Sequence, residues 1–226
     1  MLLISQIHTA ASRFLKRRGR LGLVWLVALI VGNVDAFAVR LPAAQIRPHT
    51  KSGATSHVVT QNKGSITRVV SADQRAENMY RDAVALMQEG RMEDAQTLLL
   101  DGIKISPQRP EFFMALAHVH LTMNDVDAAI KTMEEGLPAA ASHAEFHALF
   151  AALLQRTGRH DEAIAHYVIA IRLKPDSANW FLGLGISLQA KKDESSAVEA
   201  YQRAIELGLS PSLMQFTQER LRQLNK

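Results

Sequence analysis

From residue 73 to the end of the sequence, apolar side chains recur every three or four positions. This spacing places them on one face of an α-helix and predicts a series of amphipathic helices. Short polar turns containing glycine, proline, asparagine or aspartate separate the apolar segments. The pattern therefore predicts an all-α fold for residues 73–226.

The helical segments are copies of one another. Four of them, EDAQTLLLDGI, VDAAIKTMEEGL, DEAIAHYVIAI and SSAVEAYQRAI, carry an alanine at the same place, and these alanines are evenly spaced: Ala95, Ala129, Ala163 and Ala197. We call this spacing the repeat period. A small side chain is needed where two helices of a hairpin cross closely. The period, about 34 residues, resembles that of the tetratricopeptide repeat (TPR), which implies a solenoid of helix-turn-helix units.

Other positions recur with the alanines. We expect the packing and turn positions of the repeats to be Gly158, Gly185, Tyr167, Tyr201, Pro107 and Pro175. Proline ends the second helix of a repeat because it cannot continue a helical hydrogen-bond ladder. The sequence thus predicts four repeats. A last amphipathic helix over residues 212–224 is expected to cover the open end of the stack.

Residues 1–39 have the pattern of a targeting segment. A basic tail, residues 1–20, precedes an apolar run that begins at residue 21. A basic flank before an apolar run keeps the N-terminus in the cytoplasm, which would place the rest of the chain in the periplasm of a Gram-negative host. Residues 21–39 form either a single transmembrane anchor or a signal sequence, because Ala36-Phe37-Ala38 is a pattern that signal peptidase cuts.

Residues 40–72 contain two prolines, two glycines, many Ser and Thr and no acidic residue. This composition is typical of a flexible linker. Residues 1–72 carry ten Lys and Arg against one acid, whereas residues 73–226 carry 16 against 21. The helical part is therefore acidic, which argues against nucleic-acid binding.

Nothing in the sequence indicates catalysis. The chain has no cysteine, which excludes a thiol nucleophile, a disulfide and a lipoprotein anchor. The segment HAEFH, from His143 to His147, differs from the H-E-x-x-H zinc motif because Glu145 does not follow the first histidine directly. A hydrolase that uses these three residues is the poorest alternative. We expect no enzyme activity, no metal, no cofactor and no small-molecule substrate.

The first helices of stacked repeats line the inner face of such a solenoid. On repeats two to four this face is mostly apolar and has few charges, which suits an amphipathic helix or an extended apolar segment of a partner protein. The predicted groove consists of Met114, His118, Leu121, Ala148, Ala152, Gln155, Leu182, Ile186 and Gln189.

Several stretches carry a closer resemblance. They include AENMYRDAVALMQEGRMEDAQTLL, EFHALFAALLQRTGRHDEAIAHY and the segment from Trp180 to Leu188, WFLGLGISL. Residues 72–224 are similar to the MshN family of mannose-sensitive haemagglutinin (MSHA) pilus biogenesis proteins. The resemblance implies a single-pass inner-membrane protein whose periplasmic TPR domain serves type IV pilus assembly. The alternative is a soluble periplasmic adaptor, released by cleavage after Ala38, that serves another envelope or secretion complex.

Overall fold

The computed structural model describes residues 71–225. The predicted basic tail at 1–20, the anchor or signal segment at 21–39 and the linker at 40–72, apart from its last two residues, lie outside the described residues. None of the described helices is both long and apolar enough to cross a membrane.

Within residues 71–225 the fold consists of nine α-helices and one short 3₁₀ helix, Leu137–Ala139, with no strand. The prediction of an all-α fold is confirmed for this part of the chain. The helices are α1 (Ala72–Gln88), α2 (Met92–Ile105), α3 (Pro110–Thr122), α4 (Val126–Gly136), α5 (Ala144–Arg156), α6 (His160–Leu173), α7 (Ala178–Ala190), α8 (Glu194–Leu207) and α9 (Pro211–Leu224).

The helices form four consecutive hairpins, α1–α2, α3–α4, α5–α6 and α7–α8. We call the first helix of each hairpin its A helix and the second its B helix. The B helices begin one repeat period apart, at Met92, Val126, His160 and Glu194. The A helices α3, α5 and α7 keep the same spacing, while α1 begins one turn early because the side chain of Ser71 caps it by accepting a hydrogen bond from Gln74 N.

The turn within each hairpin uses one left-handed residue, which recurs at the same period. These residues are Gly90, Asn124, Gly158 and Lys192, with φ of 78°, 61°, 80° and 64°. Glycine adopts this conformation without steric cost, and asparagine tolerates it. A Cβ on Gly158 would meet nothing within 4 Å, so Gly158 shapes the turn and does not pack against another helix.

Inside each hairpin the A and B helices cross at small residues. The four alanines that define the period, Ala95, Ala129, Ala163 and Ala197, are all completely buried. Tyr167 and Tyr201 lie one turn further along their B helices and are buried as well. Gly185 lies directly beneath the Tyr201 ring, which has room there only because Gly185 has no side chain.

Successive hairpins are joined by a second set of contacts, between the start of an A helix and the end of the preceding B helix. Phe112 lies against Gly102, and Phe146 lies against Gly136. Trp180 occupies the same place in α7 and belongs to the same buried cluster as Ala170. A large side chain on one helix thus fills the space that a small residue leaves on the other. This joint was not among the predicted packing positions.

Helix α9 packs on α8 and continues the register of the repeats. Met214 and Thr217 stand one repeat period after Trp180 and Gly183, which face the preceding B helix, and they are half-buried and buried. The positions that would face a further B helix hold polar, exposed residues instead: Gln215, Gln218, Glu219 and Arg222. The helix therefore covers α8 and presents a polar outer face, as a terminal cap requires.

Candidate partner-binding groove

The four A helices stand side by side in one layer. Helix α1 contacts α3, α3 contacts α5, and α5 contacts α7, whereas successive B helices make fewer contacts with one another. This A-helix layer is the one that the sequence predicts to form the inner face of the stack.

The residues predicted to line the groove all lie on this layer, at three positions on each of the helices α3, α5 and α7. Five of them are partly exposed: Met114, His118, Leu121, Ala152 and Gln189. The other four, Ala148, Gln155, Leu182 and Ile186, are buried, and Leu182 is only 1% exposed. These four form the support beneath the surface, and the accessible apolar part of the face lies mainly on α3.

Gln155 has a structural role. Its amide nitrogen donates to the Gly183 carbonyl oxygen at 2.7 Å and lies 2.6 Å from the Ser187 hydroxyl oxygen. Gln155 and Ser187 are both buried, so these bonds satisfy polar groups that water does not reach. They tie α5 to α7 and fix the spacing of two neighbouring A helices.

The face extends into the first repeat beyond the predicted residues. Tyr80, Val84 and Met87 stand one repeat period before Met114, His118 and Leu121, and they are also partly exposed. The Tyr80 ring meets the Phe112 ring edge to face at 5.6 Å. Burial raises the pKa of Tyr80, and the Glu111 carboxylate adds to this effect, so its hydroxyl stays neutral. The same period that predicted the rest could have identified these residues.

Charges at the start of the A helices are paired within the chain. Arg109 donates to Glu77 at 2.8 Å and lies 3.8 Å from Glu111, and Lys174 donates to Glu145 at 3.0 Å. Each glutamate lies one turn before a groove position on its own helix. Because these carboxylates already have cationic neighbours, the chemistry that the face offers a ligand is mainly apolar.

The structure also places the residues of the hydrolase alternative. The His143 ring accepts a hydrogen bond from Phe146 N at 3.2 Å and so caps α5. His147 turns away from it and meets His166 of α6, with the two Nδ1 atoms 3.0 Å apart. Among residues 71–225 no three His, Asp or Glu side chains form a group that could hold a metal ion. Of the three residues of the hydrolase alternative, the structure brings His143 within 3.8 Å of Glu145 and places His147 in the contact with His166.

Two models of the tetratricopeptide repeat match the sequence, one over residues 75–153 and the other over residues 148–212. Together they cover the four hairpins and the start of α9. Their outer limits, residues 75 and 212, enclose the four alanines that define the repeat period.

Solved structures with similar folds include PilF of Pseudomonas aeruginosa, with 22% identity and a TM-score of 0.56 over 68% of this chain and 74% of that one. A MamA structure from Desulfovibrio magneticus RS-1 has 15% identity and a TM-score of 0.58 over 69% and 92% of the two chains. YrrB, described as a TPR protein with an unusual peptide-binding site, has 17% identity and a TM-score of 0.55 over 64% and 74%. At these identities the likeness concerns the fold alone.

A curated relative is the human protein O-mannosyl-transferase TMTC1, which is 28% identical over 169 residues. The match covers 67% of this chain but 19% of the relative. The chain thus spans about a fifth of the length of that protein, and the likeness does not extend to the whole transferase.

Proposed function

This chain belongs to the tetratricopeptide repeat family, and from that membership we propose that it is a non-catalytic scaffold for type IV pilus assembly at the inner membrane. TPR domains act as protein–protein interaction scaffolds. The finer assignment, to pilus assembly, rests on the resemblance of residues 72–224 to the MSHA pilus biogenesis family. The fold likeness to PilF agrees with this setting.

The observation that carries the proposal is the apolar row on the inner layer of A helices. Met114 and Leu121 are apolar and partly exposed, and Val84 and Met87 continue the row on α1. The glutamates that precede the groove positions have cationic neighbours within the chain, so an apolar ligand loses little by covering them. An amphipathic helix or an extended apolar segment of a partner protein fits these properties.

We further propose that residues 21–39 anchor the protein in the inner membrane and that the repeats face the periplasm. The basic tail at 1–20 is the basis for this orientation. The second candidate is a soluble periplasmic adaptor, favoured by the Ala36-Phe37-Ala38 pattern. The two differ in the N-terminus of the mature protein, which begins at Val39 in the adaptor only.

The experiment is affinity capture of tagged full-length protein in mild detergent, followed by mass spectrometry of the protein and its partners. The wild type is compared with Leu121→Lys, which puts a charge on the apolar row, and with Val168→Lys as a control. Val168 is 47% exposed and lies on a B helix, away from the A-helix layer. We expect pilus-assembly proteins to be captured by the wild type and the control and to be lost from Leu121→Lys.

Equal capture by all three proteins would contradict the proposed binding face. Partners that belong to another envelope system would contradict the pilus assignment and leave the scaffold role intact. Unchanged surface pilin in a strain that lacks the gene would contradict the pilus assignment directly.

A further inference from the structure

Repeat three differs from the other repeats at one pair of positions where the A and B helices meet. In repeat three these positions hold His147 and His166. The equivalent pairs, found by stepping one repeat period along the chain, are Met79 and Leu98, Phe113 and Thr132, and Phe181 and Ala200. Each of these pairs contains at least one apolar residue, and none contains an ionisable group. Two histidines are therefore present where the fold itself requires none.

The two imidazole rings are in direct contact. Their Nδ1 atoms lie 3.0 Å apart, and the rings stack with centroids 5.3 Å apart and an interplanar angle of 18°. The Phe150 ring lies 4.6 Å from the His166 ring, and the Phe146 ring meets His147 edge to face at 6.0 Å. At this distance one Nδ1 donates a proton and the other must accept it. The contact therefore requires at least one of the rings to be neutral.

The surroundings of the pair favour the neutral form on balance: burial lowers the pKa of His147 more than the backbone groups of Ala140 and Ala141 raise it. His147 is only 5% exposed, and its Nε2 atom is buried without a hydrogen-bond partner. The charged form of His143, the residue that caps α5, would repel a charge on His147. From α6, Glu162 and Arg159 face His166, and the Glu162 carboxylate is already bonded to Arg159. Arg159 also reaches Glu134 of α4, so that carboxylate is engaged as well.

We infer that His147 and His166 form a pH-sensitive latch that holds the α5–α6 hairpin closed when neutral and loosens it when the surroundings become acidic. The inference is independent of the pilus assignment because it concerns the hairpin itself. For the scaffold, the consequence is that acid loosens α5, which is the A helix that Gln155 ties to α7.

The sign of the effect follows from linkage. Burial lowers the pKa of both histidines below the ordinary value of 6.5. Repulsion by His143 lowers the pKa of His147 further, and repulsion by His147 lowers the pKa of His166 further. As the pH falls below about 6.5, the opened hairpin binds protons that the closed hairpin does not bind. The stabilisation is thus complete above that pH and is lost progressively as the pH falls towards the depressed pKa values.

The test is hydrogen exchange measured by mass spectrometry on the full-length protein in mild detergent, at pH 7.5 and 5.5. Rates are corrected for the intrinsic pH dependence of exchange. Peptides from α5–α6 are compared with peptides from α3–α4, which lack the histidine pair. We expect protection of α5–α6 to fall about tenfold at pH 5.5 for each proton that only the open form takes up, while α3–α4 changes much less.

The decisive variant is His147→Phe/His166→Thr, which installs the pair found in repeat two. We expect it to keep α5–α6 protected at pH 5.5. His160→Gln is the matched control, because His160 also lies on α6 and burial also lowers its pKa, but it does not belong to the pair. In this control the loss of protection at acidic pH should persist.

If the double variant destabilises the hairpin at pH 7.5, His166→Thr alone serves instead, since it leaves the buried side of the contact unchanged. An equal loss of protection at pH 5.5 in the wild type and in the variants without the pair would overturn the inference. So would an acid response that disappears in His160→Gln.

Discussion

The ring of Tyr201 lies across the backbone of Gly185, and a Cβ at position 185 would stand 2.6 Å from Tyr201 Cδ1. The ring is also fixed at its far end, where its hydroxyl donates to Gln189 Oε1 at 2.7 Å. Because α7 carries both Gly185 and Gln189, the Tyr201 side chain binds α8 to α7 at two points. This leaves the ring little freedom to move away from an added atom.

Gly185→Ala should therefore destabilise the protein in spite of the higher helix propensity of alanine. We expect a loss of about 1–3 kcal/mol, the usual range for overpacking a core, measured by denaturant-induced unfolding. The double variant Gly185→Ala/Tyr201→Leu is the control, because repeat one combines Ala83 with Leu99 at the same two positions. Additive effects of the two substitutions would show that the ring and the glycine do not share the space.

Lys192 is the one residue among the four left-handed turn positions that is neither glycine nor asparagine. A left-handed conformation costs an ordinary residue roughly 1–2 kcal/mol. Glycine avoids this cost but lowers stability by about 0.4–1 kcal/mol, because it increases the conformational entropy of the unfolded chain. Lys192→Gly should thus stabilise the protein by roughly 0.5–1 kcal/mol. Thermal unfolding would report this as a higher midpoint.

The neighbouring residue supplies the control for this substitution. Lys191 has a φ of −82° and donates to Asp161 at 2.8 Å, so Lys191→Gly should not stabilise the protein. A gain of similar size from both substitutions would mean that removing positive charge is responsible and that backbone strain at Lys192 is not.

Gln155→Ala should remove both bonds to α7 and leave the buried Ser187 hydroxyl without its partner. The expected loss in the free energy of unfolding is about 1–3 kcal/mol. Gln202→Ala, at an exposed position of α8, should change it by no more than about 0.5 kcal/mol. Equal effects of the two substitutions would place the Gln155 amide in water and leave its bridging role unsupported.

Removal of α9 should expose the apolar side of α8 that Met214 and Leu221 help to cover. A chain that ends at Gly208 is expected to unfold at a lower temperature and to associate at concentrations where the full protein does not. Gln218→Lys on the polar outer face should leave both properties unchanged. Unaltered stability of the shortened chain would contradict the role of α9 as a cap.

The repeat period was sufficient to predict the hairpins, their buried alanines and the last helix. These features depend on local periodicity and on side-chain size, which a single sequence displays. The hairpin interior was predicted better than the joints between hairpins. In the sequence alone, Gly102 and Gly136 look like ordinary helix interruptions. The structure shows that the rings of Phe112 and Phe146 occupy the space beside them.

The predicted groove shows where such reasoning ends. All its residues lie on the A-helix layer, but Leu182 and Gln155 are buried, because exposure there depends on how closely the next helix lies. The contact between His147 and His166 has the same origin. The two residues are 19 positions apart, and their meeting depends on the angle at which α5 and α6 cross. Helix crossing angles follow from the packing of complete side-chain surfaces.

Because the joint between hairpins recurs at one spacing, the length of this domain can change by whole repeats. Phe112, Phe146, Trp180 and Met214 stand at one spacing, so α3, α5, α7 and α9 each present a large apolar side chain to the B helix before them. A copy of residues 144–177 inserted before Ala178 would carry Phe146 at its start and Ala170 near its end. It would therefore have both the large and the small residue of such a joint. Tandem duplication can therefore lengthen the binding face by a whole unit while the cap stays as it is. The bonds of Gln155 would have to be rebuilt, because the positions equivalent to Gly183 and Ser187 in the copy are Leu149 and Leu153.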